Sequence, residues 1–201
     1  MLSRKFRIAF LRLWGIPVIF LAVFVRPGWS TESTPAFCVE FAGYVLVLAG
    51  LAIRIWSILY IGGRKSDELI TEGPYSLCRN PLYVGTFLVA LGVGLCFENI
   101  LMLVTILAAA VPVHLVIVPQ EEANLARKFP LEFPEYQRRV RRFRPRLAGY
   151  HTSERVSVSV RSIWRVLIDT SAILMLPQLE DLLELLHDKG ILPVLWYFPG
   201  R

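Results

Sequence analysis

Residues 73–85 read Gly-Pro-Tyr-Ser-Leu-Cys-Arg-Asn-Pro-Leu-Tyr-Val-Gly, and this polar, turn-rich stretch lies between two long apolar runs. Its Gly-Pro and Asn-Pro pairs each favour a turn. Pro81 suits the first position of a helix, where the N–H group that proline lacks is not needed. The stretch therefore predicts a loop that leads into an apolar helix, with Arg79 and Asn80 at the helix start.

A helix start of this kind suits an anion, because it presents free backbone N–H groups and a partial positive charge. Arg79 would add a forked cationic donor beside it. Two interpretations stay open from the stretch alone. It is either a binding loop for a carboxylate or phosphate, or a membrane-surface loop whose glycines and prolines only make the turn.

The rest of the chain is strongly apolar, since 55% of its 201 residues are hydrophobic and the mean hydropathy is +0.52. Several apolar runs approach the ~20 residues that cross a bilayer as a helix. The net charge of +6 is then explained by membrane topology and attraction to anionic lipid headgroups. No recognition helix or RNA-binding signature in the sequence supports nucleic-acid binding. We expect an all-α fold, a polytopic bundle of four to five transmembrane helices.

Cysteine and histidine are sparse. They match no disulfide or metal-ligand spacing, so the sequence predicts no metal site. The residues concerned are Cys38, Cys78, Cys96, His114, His151 and His187.

Four apolar segments are candidate spans. They are residues 8–25, 36–61, 81–97 and 100–118. The basic N-terminus (Arg4, Lys5 and Arg7) predicts a cytoplasmic start, because Lys and Arg are enriched in cytoplasmic segments. Arg54 lies near the inner end of the second span, and we expect its long side chain to extend to the headgroups.

Counting crossings from a cytoplasmic N-terminus places residues 62–80 and the arginine-rich segment 120–147 in the same compartment. Only Glu98 and Asn99 separate the third and fourth spans, which predicts a tight antiparallel hairpin. The loop before the third span and the Glu121-Glu122 pair after the fourth should then lie together on the cytoplasmic side.

The chain thus divides into a membrane core over residues 1–149, with its motif region at 64–146, and a tail over 150–201. The tail contains an exposed linker, a short apolar segment and an amphipathic one. An interfacial or re-entrant helical hairpin is predicted for it, with a fifth span as the alternative.

The ordered motifs resemble a known family. They are Gly73-Pro74-Tyr75, the run Arg-Asn-Pro-Leu-Tyr-Val-Gly at 79–85, the pair Glu121-Glu122, and then Phe129, Phe133, Tyr136, Val140, Arg141 and Pro145. This order resembles the isoprenylcysteine carboxyl methyltransferase and phospholipid N-methyltransferase family of integral membrane enzymes. Asn80 stands where the prenylcysteine enzymes usually have histidine, and Pro130 where glycine is usual. The first departure brings the loop closer to the phospholipid branch and leaves the substrate open.

The resemblance implies S-adenosylmethionine as the methyl donor, bound on the cytosolic side, and an amphipathic acceptor that enters from the bilayer. The donor's carboxylate would meet Arg79 and the helix start at Pro81, and its ammonium would meet Glu121 or Glu122. Tyrosines can pack on the adenine or lie near the sulfonium. The candidate cofactor-binding residues are Tyr75, Arg79, Asn80, Pro81, Tyr83, Gly85, Glu121, Glu122 and Tyr136.

The candidate catalytic residues are Glu121, Glu122 and Arg141. A carboxylate acceptor needs no base, whereas an amine acceptor must lose a proton, and Glu121 or Glu122 can take it. Arg141 can hold an acceptor carboxylate or a lipid phosphate through two hydrogen bonds. The alternative for Arg141 is that it only contacts anionic lipid headgroups, as we expect of the neighbouring arginines.

Two other functions share parts of the pattern. An NADPH-dependent membrane reductase of the sterol type has a similar Arg-x-Pro-x-Tyr-x-Gly sequence, although such reductases have more spans. A non-enzymatic lipid-binding membrane protein is the other, and it would give Arg79 and Glu121 no ligand to bind.

Overall fold

A computed structural model of the chain describes residues 4–27, 34–63 and 68–198, with side chains from residue 13 onward except at 27, 113 and 198. The basic side chains of the N-terminus (Arg4, Lys5 and Arg7) and the charged residues 64–67 lie outside the described part. The predicted cytoplasmic N-terminus therefore stays a prediction.

Helices make up most of the described residues. They are α1 (Arg4–Phe24), α2 (Thr34–Ile61), α3 (Pro74–Leu77), α4 (Pro81–Cys96), α5 (Ile100–Lys128), α6 (Glu132–Arg139) and α7 (Val160–Asp188). One 3-10 turn covers Leu147–Gly149. Two three-residue strands, β1 (Val25–Pro27) and β2 (Trp196–Phe198), pair in parallel. The expected helical fold is confirmed, and the small sheet is an addition that the sequence pattern did not predict.

Two of these helices, α2 and α5, are long and apolar enough to cross a membrane. Within their apolar windows only 28% and 12% of the residues are buried, so most of these side chains are not covered by the described protein. That exposure is expected of helices that face lipid. The apolar helix α4 and residues Leu13–Phe24 of α1 are shorter.

The first part of the polar segment that follows the fourth predicted span belongs to the same helix as that span. Helix α5 continues from the apolar run through Glu121 and Glu122 to Lys128. Because these residues extend a helix that is already formed, each adds one hydrogen bond without a new nucleation step.

The tail contains one helix where we expected a hairpin of two. Helix α7 runs without interruption from Val160 to Asp188, with Pro177 inside it. The proline lies between the apolar and amphipathic segments, but it does not end the helix. The division of the chain at residue 149 stays a prediction.

The described chain forms two compact units. The first comprises Met1–Leu48, Leu88–Val113 and Ala172–Arg201. Within it, Arg26 forms ion pairs with Glu184 (3.2 Å) and Asp188 (2.7 Å) of α7. The Asn99 side chain accepts the N–H of Leu101 at 2.9 Å and so caps α5. This cap confirms the predicted turn between α4 and α5.

The second unit comprises Ala49–Phe87 and His114–Ser171. It therefore contains the end of α2, the loop 73–80, the start of α4, the polar end of α5 and all of α6. A Cβ atom on Gly85 would lie 2.7 Å from the carbonyl oxygen of Gly50, so only glycine allows α4 to approach α2 this closely.

Candidate active site

The loop before α4 is fixed by its glycine and by a single helical turn. Gly73 has a φ of 58°, and a Cβ atom there would lie 2.4 Å from the Tyr60 ring, so any other residue would be strained and would clash. Helix α3 follows, and α4 begins at Pro81 with the carbonyl of Asn80 accepting the N–H groups of Tyr83 and Val84. The predicted loop and helix start are therefore present.

Residues 140–146, which we call the strap, pair their backbone with this loop. The N–H of Arg79 donates to the Arg141 carbonyl (2.8 Å), and the N–H of Asn80 donates to the Arg142 carbonyl (3.1 Å). At the far end the N–H of Arg146 donates to the carbonyl of Leu77 (3.1 Å). The strap directly follows α6, so these hydrogen bonds join the loop to the end of α6.

Glu122 is the centre of the ionic contacts between loop, helix and strap. One carboxylate oxygen accepts Arg79 Nε and Asn80 Nδ2, each at 3.1 Å. The other accepts Arg142 Nε at 3.1 Å and Nη2 at 2.6 Å. Glu122 is 5% exposed, so these donors replace the water that its charge would otherwise need.

The guanidinium of Arg79 is also hydrogen-bonded to other residues of the protein. Besides Glu122, its Nη1 donates to the carbonyls of Val140 (2.7 Å) and Gln137 (3.1 Å). The sequence predicted Arg79 as a partner for a ligand carboxylate. The structure shows that its guanidinium joins the acidic end of α5 to the strap and to the end of α6.

A cavity of about 450 Å³ lies beside this ionic cluster. Small-molecule sites are typically ~300–1,000 Å³. Its polar and aromatic lining residues are Glu68, Tyr75, Arg79, Asn80, Tyr83, Glu121, Glu122, Asn124, Arg127, Lys128, Phe133 and Tyr136. Aliphatic side chains of Ile61, Leu69, Ile70, Leu82 and Leu125 complete the wall. The cavity therefore offers both signs of charge together with aromatic and aliphatic surface.

Two buried tyrosines form one wall of the cavity. The hydroxyl of Tyr136 donates to the carbonyl of Tyr75 at 2.7 Å, which ties α6 to α3. Burial raises the pKa of both phenols well above the ordinary value. Burial also raises the pKa of the Cys78 thiol, so this cysteine stays protonated at neutral pH and is not an activated nucleophile.

Seven of the predicted site residues line the cavity, namely Tyr75, Arg79, Asn80, Tyr83, Glu121, Glu122 and Tyr136. Three others do not. Pro81 starts α4, Gly85 packs against α2, and Arg141 is exposed on the strap. The convergence of the loop and the acidic pair is confirmed as geometry, while the ligand roles of these residues stay predictions.

Sequence reasoning assigned Arg142 to lipid headgroups and missed its contact with Glu122. The Arg142 side chain contacts Glu122, whereas the neighbouring Arg141 side chain is exposed. Glu68, Arg127 and Lys128 were also missed, because no local motif marks a residue that lines a cavity from another element.

The comparison with known proteins agrees with the resemblance. The phospholipid methyltransferase family matches residues 39–132, a range that includes the loop, α4 and the acidic pair. This chain belongs to that family. Membership and the two long apolar helices together indicate a membrane methyltransferase.

Two relatives are named for metal resistance. The chain is 37% identical over 192 residues to the nickel-cobalt-cadmium resistance protein NccN of Alcaligenes xylosoxydans xylosoxydans, covering 93% of this chain and 88% of that protein. It is 40% identical over 139 residues to the cobalt-zinc-cadmium resistance protein CzcN of Cupriavidus metallidurans. That match covers 69% of this chain and 64% of CzcN, less than two thirds of its length. No solved structure matches the chain.

Metal ligands are not grouped in the part of the chain that the structure describes. No three or more His, Cys, Asp or Glu side chains there are arranged to hold a metal ion.

Proposed function

We propose that this protein is a membrane methyltransferase that uses S-adenosylmethionine and methylates an amphipathic acceptor drawn from the bilayer. The observation that carries this proposal is the cavity beside Glu122, where the loop at Arg79 and the polar end of α5 converge. Family membership supplies the reaction class. The residues at the cavity supply the reason to favour this particular donor.

The lining of the cavity fits the donor's groups. Its ammonium can pair with Glu121 or Glu68, and its carboxylate with Arg127 or Lys128, all of which line the cavity. The rings of Tyr75 and Phe133 offer surface to an adenine. In this assignment Glu122 and Arg79 hold the site together, since their polar atoms already bond to each other and to the strap.

When bound, the donor supplies an electrophilic methyl group on a sulfonium. The chain's contribution is to orient the donor and to exclude water with the aliphatic wall. An amine acceptor would give its proton to Glu121, which lines the cavity, whereas a carboxylate acceptor would need no base. Arg141 lies on the exposed strap, so we assign it to the anionic headgroups together with the neighbouring exposed arginines.

We further propose five crossings, with the cavity on the cytoplasmic side. A Cβ atom on Gly62, just after α2, would lie 2.8 Å from Ser162 near the start of α7. Gln178, in the second half of α7, donates to the hydroxyl of Tyr44 in the first half of α2 at 3.4 Å. These two contacts are those of antiparallel helices. With 29 residues at ~1.5 Å each, α7 is long enough to span.

Binding of the donor is tested by calorimetry on the purified protein in detergent, with S-adenosylmethionine and NADPH as the two titrants. We expect one site for S-adenosylmethionine and none for NADPH. Arg127→Gln should weaken binding about tenfold, as expected for loss of one charge-assisted contact. Arg144→Gln, an exposed strap residue outside the cavity, is the matched control and should change nothing. Binding of NADPH instead would favour the reductase.

The acceptor is identified by transfer of a labelled methyl group to total membrane lipids and to farnesylated cysteine, followed by identification of the product. The names of the two relatives add a useful condition. Lipids from cells grown with cobalt, nickel or cadmium should be compared with lipids from cells grown without them. A labelled product that requires both the enzyme and the intact cavity supports the proposal; transfer that persists in Arg127→Gln at full rate contradicts it.

A further inference from the structure

Arg54 is a charged residue inside an apolar helix that is long enough to span. It lies seven residues before the end of α2, roughly 10 Å along the helix axis at 1.5 Å per residue. A charge at such a position is costly in a bilayer and is rarely kept without a function.

The side chain of Arg54 faces α4 and does not extend towards the headgroups as we expected. Its Cγ atom would lie 2.9 Å from a Cβ atom on Gly85, so its stem rests against the α4 backbone. Its Nη1 atom donates to the hydroxyl of Thr86, which in turn donates to the carbonyl of Leu82 at 2.9 Å. The small residue at 85 therefore leaves room for the stem of Arg54 against α4.

The hydrogen bonding of Arg54 is incomplete. Within the described residues, the bond to Thr86 is its one hydrogen bond, and its Nε is buried without a partner. Asp169 of α7 attracts it electrostatically, but forms no ion pair with it within 4 Å. A buried donor left unsatisfied is unfavourable, and a hydrogen-bond acceptor brought to it would remove this cost.

Arg54 and Thr86 lie next to the proposed cavity on the same two helices. Leu82 lines the cavity, and Thr86 follows it by one helical turn. Ile61 also lines the cavity, and Arg54 precedes it by two turns on the same face of α2. The pair therefore lies further along the apolar part of both helices than the residues that line the cavity.

We propose that Arg54 binds the anionic oxygens, of a phosphate or a carboxylate, on the membrane amphiphile that enters the cavity. This inference rests on the proposed function, since it concerns the acceptor of the same site. The planar guanidinium suits both oxyanions through paired hydrogen bonds. Thr86 holds one edge of this guanidinium through Nη1.

The test is native mass spectrometry of the detergent-solubilised protein with three probes: oleate, lysophosphatidic acid and the neutral oleyl alcohol. The wild type should bind at least one anionic probe about tenfold more tightly than the alcohol, and the stronger probe identifies carboxylate or phosphate. Arg54→Gln should lose this preference, and Arg54→Lys should keep part of it. Arg138→Gln, an exposed arginine of α6, should keep it fully.

Asp169→Asn separates ligand binding from a structural ion pair. If Arg54 binds an anion, removal of the nearby negative charge should preserve or tighten binding of the anionic probe. If Arg54 and Asp169 only stabilise the helices, Asp169→Asn should lower the thermal stability as much as Arg54→Gln does, and the proposal is wrong. An anion preference that survives Arg54→Gln also overturns it.

Calorimetry with S-adenosylmethionine keeps the two proposals apart. Arg54→Gln should bind this donor as the wild type does, because Arg54 does not line the cavity. A wild type that prefers the anionic probes through Arg54 but binds no donor would refute the proposed function and leave the Arg54 site standing. The opposite result would refute only the Arg54 site.

Discussion

Glu122 and Arg54 are both charged and both lie in the second compact unit, but they differ strongly in how many hydrogen bonds the protein gives their charged groups. Glu122 receives donors from Arg79, Asn80 and Arg142, whereas Arg54 has, among the residues that the structure describes, one hydrogen bond, to Thr86. A charge whose partners all come from the protein holds the fold together. A charge left short of partners is available to a ligand. The predictions below test this distinction.

Glu122→Gln should have the largest effect. Loss of one partner of a buried ion pair leaves the other charges uncompensated and typically costs about 3–5 kcal/mol. We expect the strap to be released from the loop and the unfolding temperature to fall strongly. Scanning fluorimetry in detergent measures this temperature. Glu121→Gln is the control and should lower stability far less. If Glu122→Gln is as stable as the wild type, Glu122 is not the centre of the cluster.

Gly85→Ala should be the next most disruptive change, because the new Cβ would lie 2.7 Å from the Gly50 carbonyl oxygen and 2.9 Å from the Arg54 stem. Overpacking of this kind costs about 1–3 kcal/mol. Gly15→Ala in α1 is the matched control, since nothing lies within 4 Å of its Cβ position. Equal unfolding temperatures for the two variants would contradict the close approach of α4 to α2.

Arg142→Gln and Arg141→Gln compare two neighbours on the strap. Arg142 bonds to Glu122 at 2.6 Å but its side chain is 44% exposed, so its loss should cost about 1–2 kcal/mol. Arg141→Gln should stay within about 0.5 kcal/mol of the wild type, as is usual for exposed positions. Chemical denaturation in mild detergent measures both. A larger loss from Arg141→Gln than from Arg142→Gln would contradict the contact of Arg142 with Glu122.

Arg54→Leu should have the smallest effect, and of the opposite sign. Because it removes a poorly satisfied charge from an apolar helix, we expect a gain of about 1 kcal/mol or no change. Thermal unfolding in the same detergent shows directly whether the variant is more or less stable than the wild type. A loss comparable to that of Glu122→Gln would show that Arg54 is a structural charge and would remove the contrast.

The sequence predicted the elements that local patterns specify. The apolar runs gave α2, α4 and the first part of α5, Asn80-Pro81 gave the helix start, and Glu98-Asn99 gave the turn that Asn99 caps. The meeting of the loop with the acidic pair was also predictable, because a hairpin returns to the end where it began.

What could not be predicted depends on contacts between distant residues. The contact of Arg142 with Glu122 depends on how the strap folds against α5, and nothing in a run of arginines marks which of them makes that contact. The pairing of β1 with β2 joins segments about 170 residues apart and three residues long, which is too short for a strand signal. Arg54 was expected to reach the headgroups because its packing against Gly85 is set by another helix.

The central claim is that the cavity beside Glu122 binds S-adenosylmethionine. Ultraviolet crosslinking of the methyl-labelled donor to the detergent-solubilised protein, followed by peptide mapping, tests it most directly. We expect label in peptides that carry Tyr75, Tyr83 or Tyr136, and competition by unlabelled S-adenosylhomocysteine. Label confined to peptides that do not line the cavity, or no competed label on a folded protein, would contradict it.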